Sequence, residues 1–451
     1  MNMEEKFAHL VKMDRSIMEI DPAGSSPQLP TRRRFIIAGA LFFSVVISYL
    51  DRSNLSIVAP KLTADLQLSP IGTGFILGAF GWTYASCQIP ASWFVDRVNP
   101  RVLYCLVLIL WSLSTFFLGL AHGLFTLVIL RFAIGAFEAP AYPINNRVVS
   151  TWFGENERAG AIGFYTSGQF VGLAFLTPAL SWVTATFGWR AVFFIAGIAG
   201  LVWAGIWWIV YRDPREFKGA NAAEIDMIRA NGGILDFSPI DPPEARESGW
   251  SDLRLILGRQ KLWGIYIGQF GMSCTLWFFL TWFPTYLVTF RHLDFMRAGL
   301  LASLPFIAAF TGVLSGGFSS DFMLRRGLSL TVARKAPIIG GLLLASSIVC
   351  ANFLTTPTQV IACLCCSFFG CGFASISWSL VSALAPKRLI GLTGGVFNCF
   401  SNLAAIIVPS VIGILVKGQS FGRPLAFISA MAILGALSYI FLVGKVERIT
   451  V

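Results

Sequence analysis

Four ionisable residues stand inside otherwise apolar stretches of the chain: Asp51 and Arg52 in SYLDRSN (48–54), and Arg131 and Glu138 in RFAIGAFEAP (131–140). Of 23 acids, only these two are deep; the rest fall in polar tails and loops or at the ends of apolar segments. A charge at the centre of a membrane helix costs ~2.5–3.5 kcal/mol, so four ask for roughly 10–14 kcal/mol unless they pair or face a watery cavity. Arg131 and Glu138 are seven residues apart, which is two helical turns, and this shared face makes Arg131 the expected partner of Glu138. Asp51 and Arg52 are neighbours and point about 100° apart, so they serve different partners. A buried acid beside a base gains or loses a proton as its surroundings change, because burial favours the neutral form and the cation favours the ionised one. Proton relay is the expected chemistry, and a static ion-pair network is the alternative.

Neutral hydrogen-bonding residues accompany these charges: Tyr49, Tyr84 with Gln88 one turn on, Gln169, Gln269, Ser375, Ser377, Trp378, and Asn398 with Asn402. Amides and phenols donate and accept, which suits a polyhydroxylated ligand. Taken singly, each serves equally well as glue between helices. The nine cysteines lie in apolar segments with no histidine nearby, and His9, His122 and His292 are scattered. Neither a metal site nor a nucleophile constellation is therefore expected, and hence no cofactor and no enzyme, protons being the coupling ion.

The elements that must hold these residues follow from composition. The chain of 451 residues is 55% apolar and 13% charged, with a mean hydropathy of +0.70. Soluble proteins carry roughly a quarter charged residues, so a soluble enzyme is excluded. Runs such as FIIAGALFFSVVISYL (35–50) do not alternate as lipid-facing strands do. An all-α membrane protein is expected. Twelve apolar segments of spanning length can be read: 35–58, 71–94, 101–121, 123–148, 159–183, 189–211, 261–289, 297–320, 332–353, 356–383, 389–416 and 422–444. The polar stretch 212–260 divides them six plus six, giving bundles over 32–211 and 261–444 with tails at 1–31 and 445–451.

Orientation follows from Lys and Arg. With both ends inside, 26 of the 34 lie in the cytoplasmic tails and loops, six outside and two in the membrane. TRRRFII (31–37) then reads as an inside anchor for the first helix, and no signal peptide is expected. The net charge of +11 is spread between apolar segments, so nucleic acid is not an expected partner. The halves echo each other: Gly74 to Asp96 and Gly299 to Asp321 span equal lengths at an offset of 225. Duplicated six-helix halves are the mark of a transporter with its site between them.

SWFVDRVNPR (92–101) resembles the signature between helices two and three of the major facilitator superfamily, and GGFSSDFMLRRG (316–327) resembles its second-half copy. Ser92 replaces the signature's Gly and Asn99–Pro100 its Gly–Arg, while Asp96, Arg97 and Arg101 are kept. SYLDRSN, FEAPAYPINNR (137–147), GFYTSGQFVGLAFLTP (163–178), LWFFLTWFPTYL (276–287), SISWSLVSALAP (375–386) and GLTGGVFN (391–398) resemble the anion:cation symporter branch, which includes bacterial sugar-acid importers. The resemblance implies that Asp51 and Glu138 are the protonated acids, with Arg131 beside Glu138, and that Arg52 meets the substrate carboxylate. It implies a sugar-acid site lined by Tyr49, Tyr84, Gln169, Gln269, Ser375, Ser377, Trp378 and Asn398, with Ser377 where Thr is expected. It implies a cytoplasmic gate of Asp96, Arg97, Arg101 and Asp321. The function implied is proton-coupled import of a hexonate, D-galactonate first, by a monomer in the bacterial inner membrane. Import of a hexarate or hexuronate is the alternative within the branch. A transporter-like sensor is the alternative of another class, against which the central stretch is too short for a signalling domain.

Overall fold

The computed structural model describes residues 29–233, 235, 249–386, 389–416 and 420–449. Among the described residues, twelve long helical rods follow one another in chain order. The first half holds α1 (Arg34–Asp65), α2 (Pro70–Arg97), α3 (Pro100–Leu118), α4 (Leu124–Glu138, resuming as Ala141–Trp152), α5 (Glu155–Val171, a π turn at Gly172–Leu176, then Thr177–Phe187) and α6 (Trp189–Val210). The second half holds α7 (Gln260–Thr281, then Phe283–Thr285 and a π turn at Tyr286–Phe290), α8 (Phe295–Arg325) and α9 (Leu330–Ser346 with a 3-10 turn, Ser347–Phe353). It continues with α10 (Pro357–Phe373, a 3-10 turn at Ala374–Ser377, then Trp378–Leu384), α11 (Ile390–Leu415) and α12 (Gly422–Phe441).

Among the described residues, ten of these rods are long and apolar enough to cross a membrane on length and composition alone. The other two, α2 and α7, carry Tyr84 with Gln88 and Gln269 with Ser273, and these polar groups dilute an apolar stretch of spanning length. Several helices run past the predicted spans: α1 continues through Lys61 to Asp65, where its end meets water. Starts are set by a capping side chain followed by proline. Ser69 accepts from the Gly72 N–H ahead of Pro70, and Asn99 from Arg101 ahead of Pro100; proline's fixed φ suits the first turn and its missing N–H costs nothing there.

The halves meet along two related seams, α2 against α11 and α5 against α8. The glycines of the sequence echo occupy matching places in them. A Cβ on Gly74 would lie 2.5 Å from the Pro409 carbonyl oxygen, and one on Gly299 would lie 2.2 Å from Ser181 Oγ. Small residues let the backbones touch, which is how membrane helices gain contact without a hydrophobic drive. On α2 the contact runs from Gly74 through Gly78, against Ile406 and Ser410, to Gly81 against Ala405. Further along α11, Gly395 has open space around it. The two halves are thus joined at the end far from the polar linker and part towards the linker end.

The linker helix Ala222–Ala230 docks on the first half. Glu224, fully buried, accepts from the backbone N–H of Arg33 and Arg34 and from Arg34 Nη1, each at 3.2 Å. It places an acid at the start of α1, where orphan N–H groups and the helix dipole favour negative charge. Arg34 also reaches Glu157 on α5 at 3.1 Å.

Candidate functional site

Glu138 closes the first segment of α4, and Pro140 interrupts the helix two residues later. Its side chain is fully buried against α1. There Oε1 accepts from Ser48 Oγ and, at 2.7 Å, from Arg52 Nε, while Oε2 has no protein partner. The partner of Glu138 is therefore Arg52 and not Arg131, which corrects the pairing expected from the two-turn spacing. Helical periodicity fixes a shared face on α4, but the guanidinium crossing from α1 comes closer than the one two turns away. Arg131 instead donates from Nη1 to the Asp51 backbone carbonyl at 3.4 Å. Phe80 on α2 faces both cations, with Arg52 5.1 Å and Arg131 5.3 Å from its ring centroid. Arg52 is further enclosed by the Tyr49 and Tyr84 rings at 5.0 and 4.7 Å, contacts in which the negative ring faces favour the charge. Asp51 is fully buried and its Oδ2 unpartnered.

Beside this cluster lies a cavity of about 560 Å³ between the halves. Of the residues expected to line a ligand site, Gln169, Gln269, Ser375 and Trp378 line it. The 3-10 turn of α10 presents Ser375 to the cavity and turns Ser377 into the wall, where its Oγ donates to Gln269 Oε1 at 3.1 Å. Asn398 is held across the seam, donating to Gln88 Oε1 at 3.0 Å. Tyr49, Tyr84 and Arg52, also expected to line the site, are not among the described residues lining the cavity: all three are nearly buried, the Arg52 guanidinium lying over both phenol rings. Among the polar lining residues that were missed are Tyr142, Ser273 and Ser401. Each sits three or four residues from one that was singled out (Glu138, Gln269 and Asn398), and that helical spacing is the signal that would have found them. Ser273 and Ser401 are 2.7 Å apart, both within reach of Gln269 Nε2. No Lys or Arg is among the described residues lining this cavity.

The expected gate residues divide. Asp321 faces Arg334 of α9 at 3.8 Å, within its own half. Arg101 donates from Nε and Nη2 to the Trp208 carbonyl at 3.1 and 2.9 Å and lies over the Trp208 ring, tying α3 to α6. Both are ties inside a half. Arg97 ends α2; the side chain of Asp96 lies outside the described residues.

Two six-helix halves, parted at one end around a cavity with a buried charge cluster beside it, have the architecture of a membrane transporter. The chain belongs to the Major Facilitator Superfamily, whose family model matches residues 41–409. It is 49% identical over 421 residues to the D-galactonate transporter of Escherichia coli O6:H1, covering 93% of this chain and 98% of that one. It is 38% identical over 424 residues to the probable galactarate/D-glucarate transporter GarP of Escherichia coli K12, covering 92% and 96%. Among solved structures, a D-xylose–proton symporter superposes with a TM-score of 0.69 at 15% identity, covering 92% of this chain and 99% of that one, a likeness of fold alone.

Proposed function

We propose that this protein imports a sugar-acid anion together with protons, a hexonate and D-galactonate first, across the bacterial inner membrane, working as a monomer with both termini in the cytoplasm. The observation that carries the reading is the buried Arg52–Glu138 pair beside a cavity that presents amides and hydroxyls among apolar side chains. When Glu138 takes a proton its hold on Arg52 weakens, and the guanidinium becomes available to a substrate carboxylate, for which its planar fork is suited. Proton and anion then enter together, because each makes room for the other. Gln169, Gln269, Ser375 and Trp378 present neutral donors and acceptors to the hydroxyl chain. The similarity to the D-galactonate transporter supports the choice of hexonate, and the excess of Lys and Arg on the linker side supports the orientation. Uptake by proteoliposomes under an imposed pH gradient, with a panel of labelled hexonates, hexarates and hexuronates, tests the reading. Accumulation of a hexonate that collapses with the gradient is expected; accumulation indifferent to the gradient would refute the coupling.

A further inference from the structure

Both deep acids are 0% exposed although the cavity beside them is open, so neither can pass a proton straight into it in this conformation. Their unpartnered oxygens lie among other unpartnered polar atoms away from the cavity. On α3 these are Tyr104 Oη, Trp111 Nε1, Ser112 Oγ and Thr115 Oγ1; on the second segment of α4 both amide atoms of Asn145; and on α6 Trp207 Nε1. Every one of these side chains is at most 1% exposed. They are ordered along the fold. Tyr104, Trp111 and Thr115 recur at seven and four residues, one face of α3 covering about 16 Å. Thr115 and Trp111 stand beside Asp51, and Tyr104 stands beside Ser44 and Asn145. The Tyr104 ring meets Trp207 at 4.7 Å, and Trp207 stacks on Tyr211 at the same distance. The Tyr211 hydroxyl donates to Asp213 Oδ1 at 3.0 Å, where the chain leaves α6 for the linker.

The rings of Tyr104, Trp111, Trp207 and Tyr211 belong to the buried core, but packing alone calls for none of the polar atoms in the column that they form with Thr115, Ser112 and Asn145. Apolar residues fill the space between α1, α3 and α4 elsewhere, and buried polar atoms without protein partners are ordinarily satisfied by internal water, which bonds two to four of them at once. We propose that α1, α3, α4 and α6 enclose a hydrated proton route from Asp51 and Glu138 to Asp213 on the linker face, separate from the substrate cavity and resting on the proton-coupled reading above. A proton leaving a deep acid adds to a lone pair of the adjoining water. That water releases another proton onward, and each hydroxyl on the way, Thr115 and Tyr104 in turn, accepts one proton while giving up its own. The indole N–H groups of Trp111 and Trp207 only donate, so they orient the waters and do not carry the charge. Separate routes let the acids discharge to the linker side whether or not substrate still occupies the cavity.

The test uses the full chain in proteoliposomes with Thr115→Val, Tyr104→Phe and Asn145→Leu, which keep shape while removing polar atoms. Ser114→Ala is the control, since the Ser114 hydroxyl is spent on the Leu110 carbonyl. Two quantities are read for each: uptake of labelled hexonate with its accompanying proton entry under a pH gradient, and exchange of labelled for unlabelled hexonate at equal pH, which needs no net proton release. Column variants are expected to slow uptake and proton entry several-fold and to leave exchange at the wild-type rate, with Ser114→Ala unchanged in both. Uptake and exchange falling together, or both staying at wild-type rates, would overturn the route. Wild-type exchange without any proton entry would mark failure of the coupling reading itself, and the route would fall with it.

Discussion

Gln88 on α2 accepts from Asn398 on α11 at 3.0 Å and from Asn402 at 3.3 Å, a hydrogen-bonded clasp between the halves at the inner limit of their glycine seam. Gly74, Gly78 and Gly81 pack on α11 to one side of it, and to the other side Gly395 faces open space. The clasp therefore stands where the joined part of the seam ends. Removing its acceptor takes the shared partner from two amide donors in a part-buried contact, where a lost hydrogen bond costs about 0.5–1.5 kcal/mol. Gln88→Leu is expected to shift the carrier towards the form open at the far end. Labelling of Ser410→Cys, beside Gly78 in the seam, by an impermeant maleimide added from that side should rise several-fold; unchanged labelling would show that the clasp does not hold the seam.

The seam itself admits a sharper test. A Cβ on Gly74 would sit 2.5 Å from the Pro409 carbonyl oxygen and 3.2 Å from the Gly413 Cα, backbone atoms that cannot swing aside. Gly74→Val leaves each half intact but keeps the halves from closing at the far end. A bias of only ~1.4 kcal/mol is a factor of ten in an equilibrium. Uptake should fall more than about tenfold, while hexonate affinity, read from tryptophan fluorescence, and melting temperature stay near wild type. Loss of binding in parallel with uptake would argue for damage within the first half instead.

Asp51→Asn and Glu138→Gln should each abolish uptake against a gradient. These amides keep the shape of a protonated acid but release no proton. Glu138→Gln also leaves Arg52 without its charged partner, so a carboxylate ligand should still bind, and equal-pH exchange should survive. Accumulation by either variant against a hexonate gradient would remove that acid from the coupling.

Some of this was legible in the residues and some was not, for physical reasons. Long apolar runs announce crossing helices because lipid demands them, yet α2 and α7 fall short of that standard, since Tyr84 is needed against Arg52, Gln88 in the seam, and Gln269 and Ser273 at the cavity. The Gly74–Gly299 echo was visible, and what it marks, two related seams, required the packing of α11 and α5. Spacing showed that Arg131 and Glu138 share a face, but it carries no information about α1, from which Arg52 reaches Glu138. Likewise nothing near Arg101 in sequence points to the Trp208 carbonyl, a partner supplied by the docking of α6 on α3. Ser375 and Ser377 looked equivalent, and only the 3-10 turn of α10 separates a lining residue from a wall residue.

An aldonate, with one carboxylate, should be preferred to an aldarate, with two. A carboxylate in a dry site needs a cation, best a guanidinium that takes both oxygens. Arg52 is the cation beside Tyr142 at the edge of the cavity, and its Nη2 is unpartnered. Arg131 lies deeper, 3% exposed and bound to the Asp51 carbonyl, with Phe80 facing both guanidinium groups. Freed from Glu138, then, the pair still offers one guanidinium to the cavity. The second-half wall opposite presents Gln269, Ser273, Ser375, Ser401 and Trp378, all neutral. A terminal hydroxyl meets these as a hydrogen-bonding partner, whereas a second carboxylate would be desolvated without compensation, at a cost of several kcal/mol, or would need an extra proton. The relatives named for galactarate and D-glucarate at 38% identity make the comparison a discriminating one. Unlabelled galactarate should compete with labelled galactonate at least about tenfold more weakly than unlabelled galactonate does, the equivalent of ~1.4 kcal/mol. Equal or tighter inhibition by galactarate, with galactarate itself accumulated, would mean that Arg131 swings past Phe80 to serve the second carboxylate.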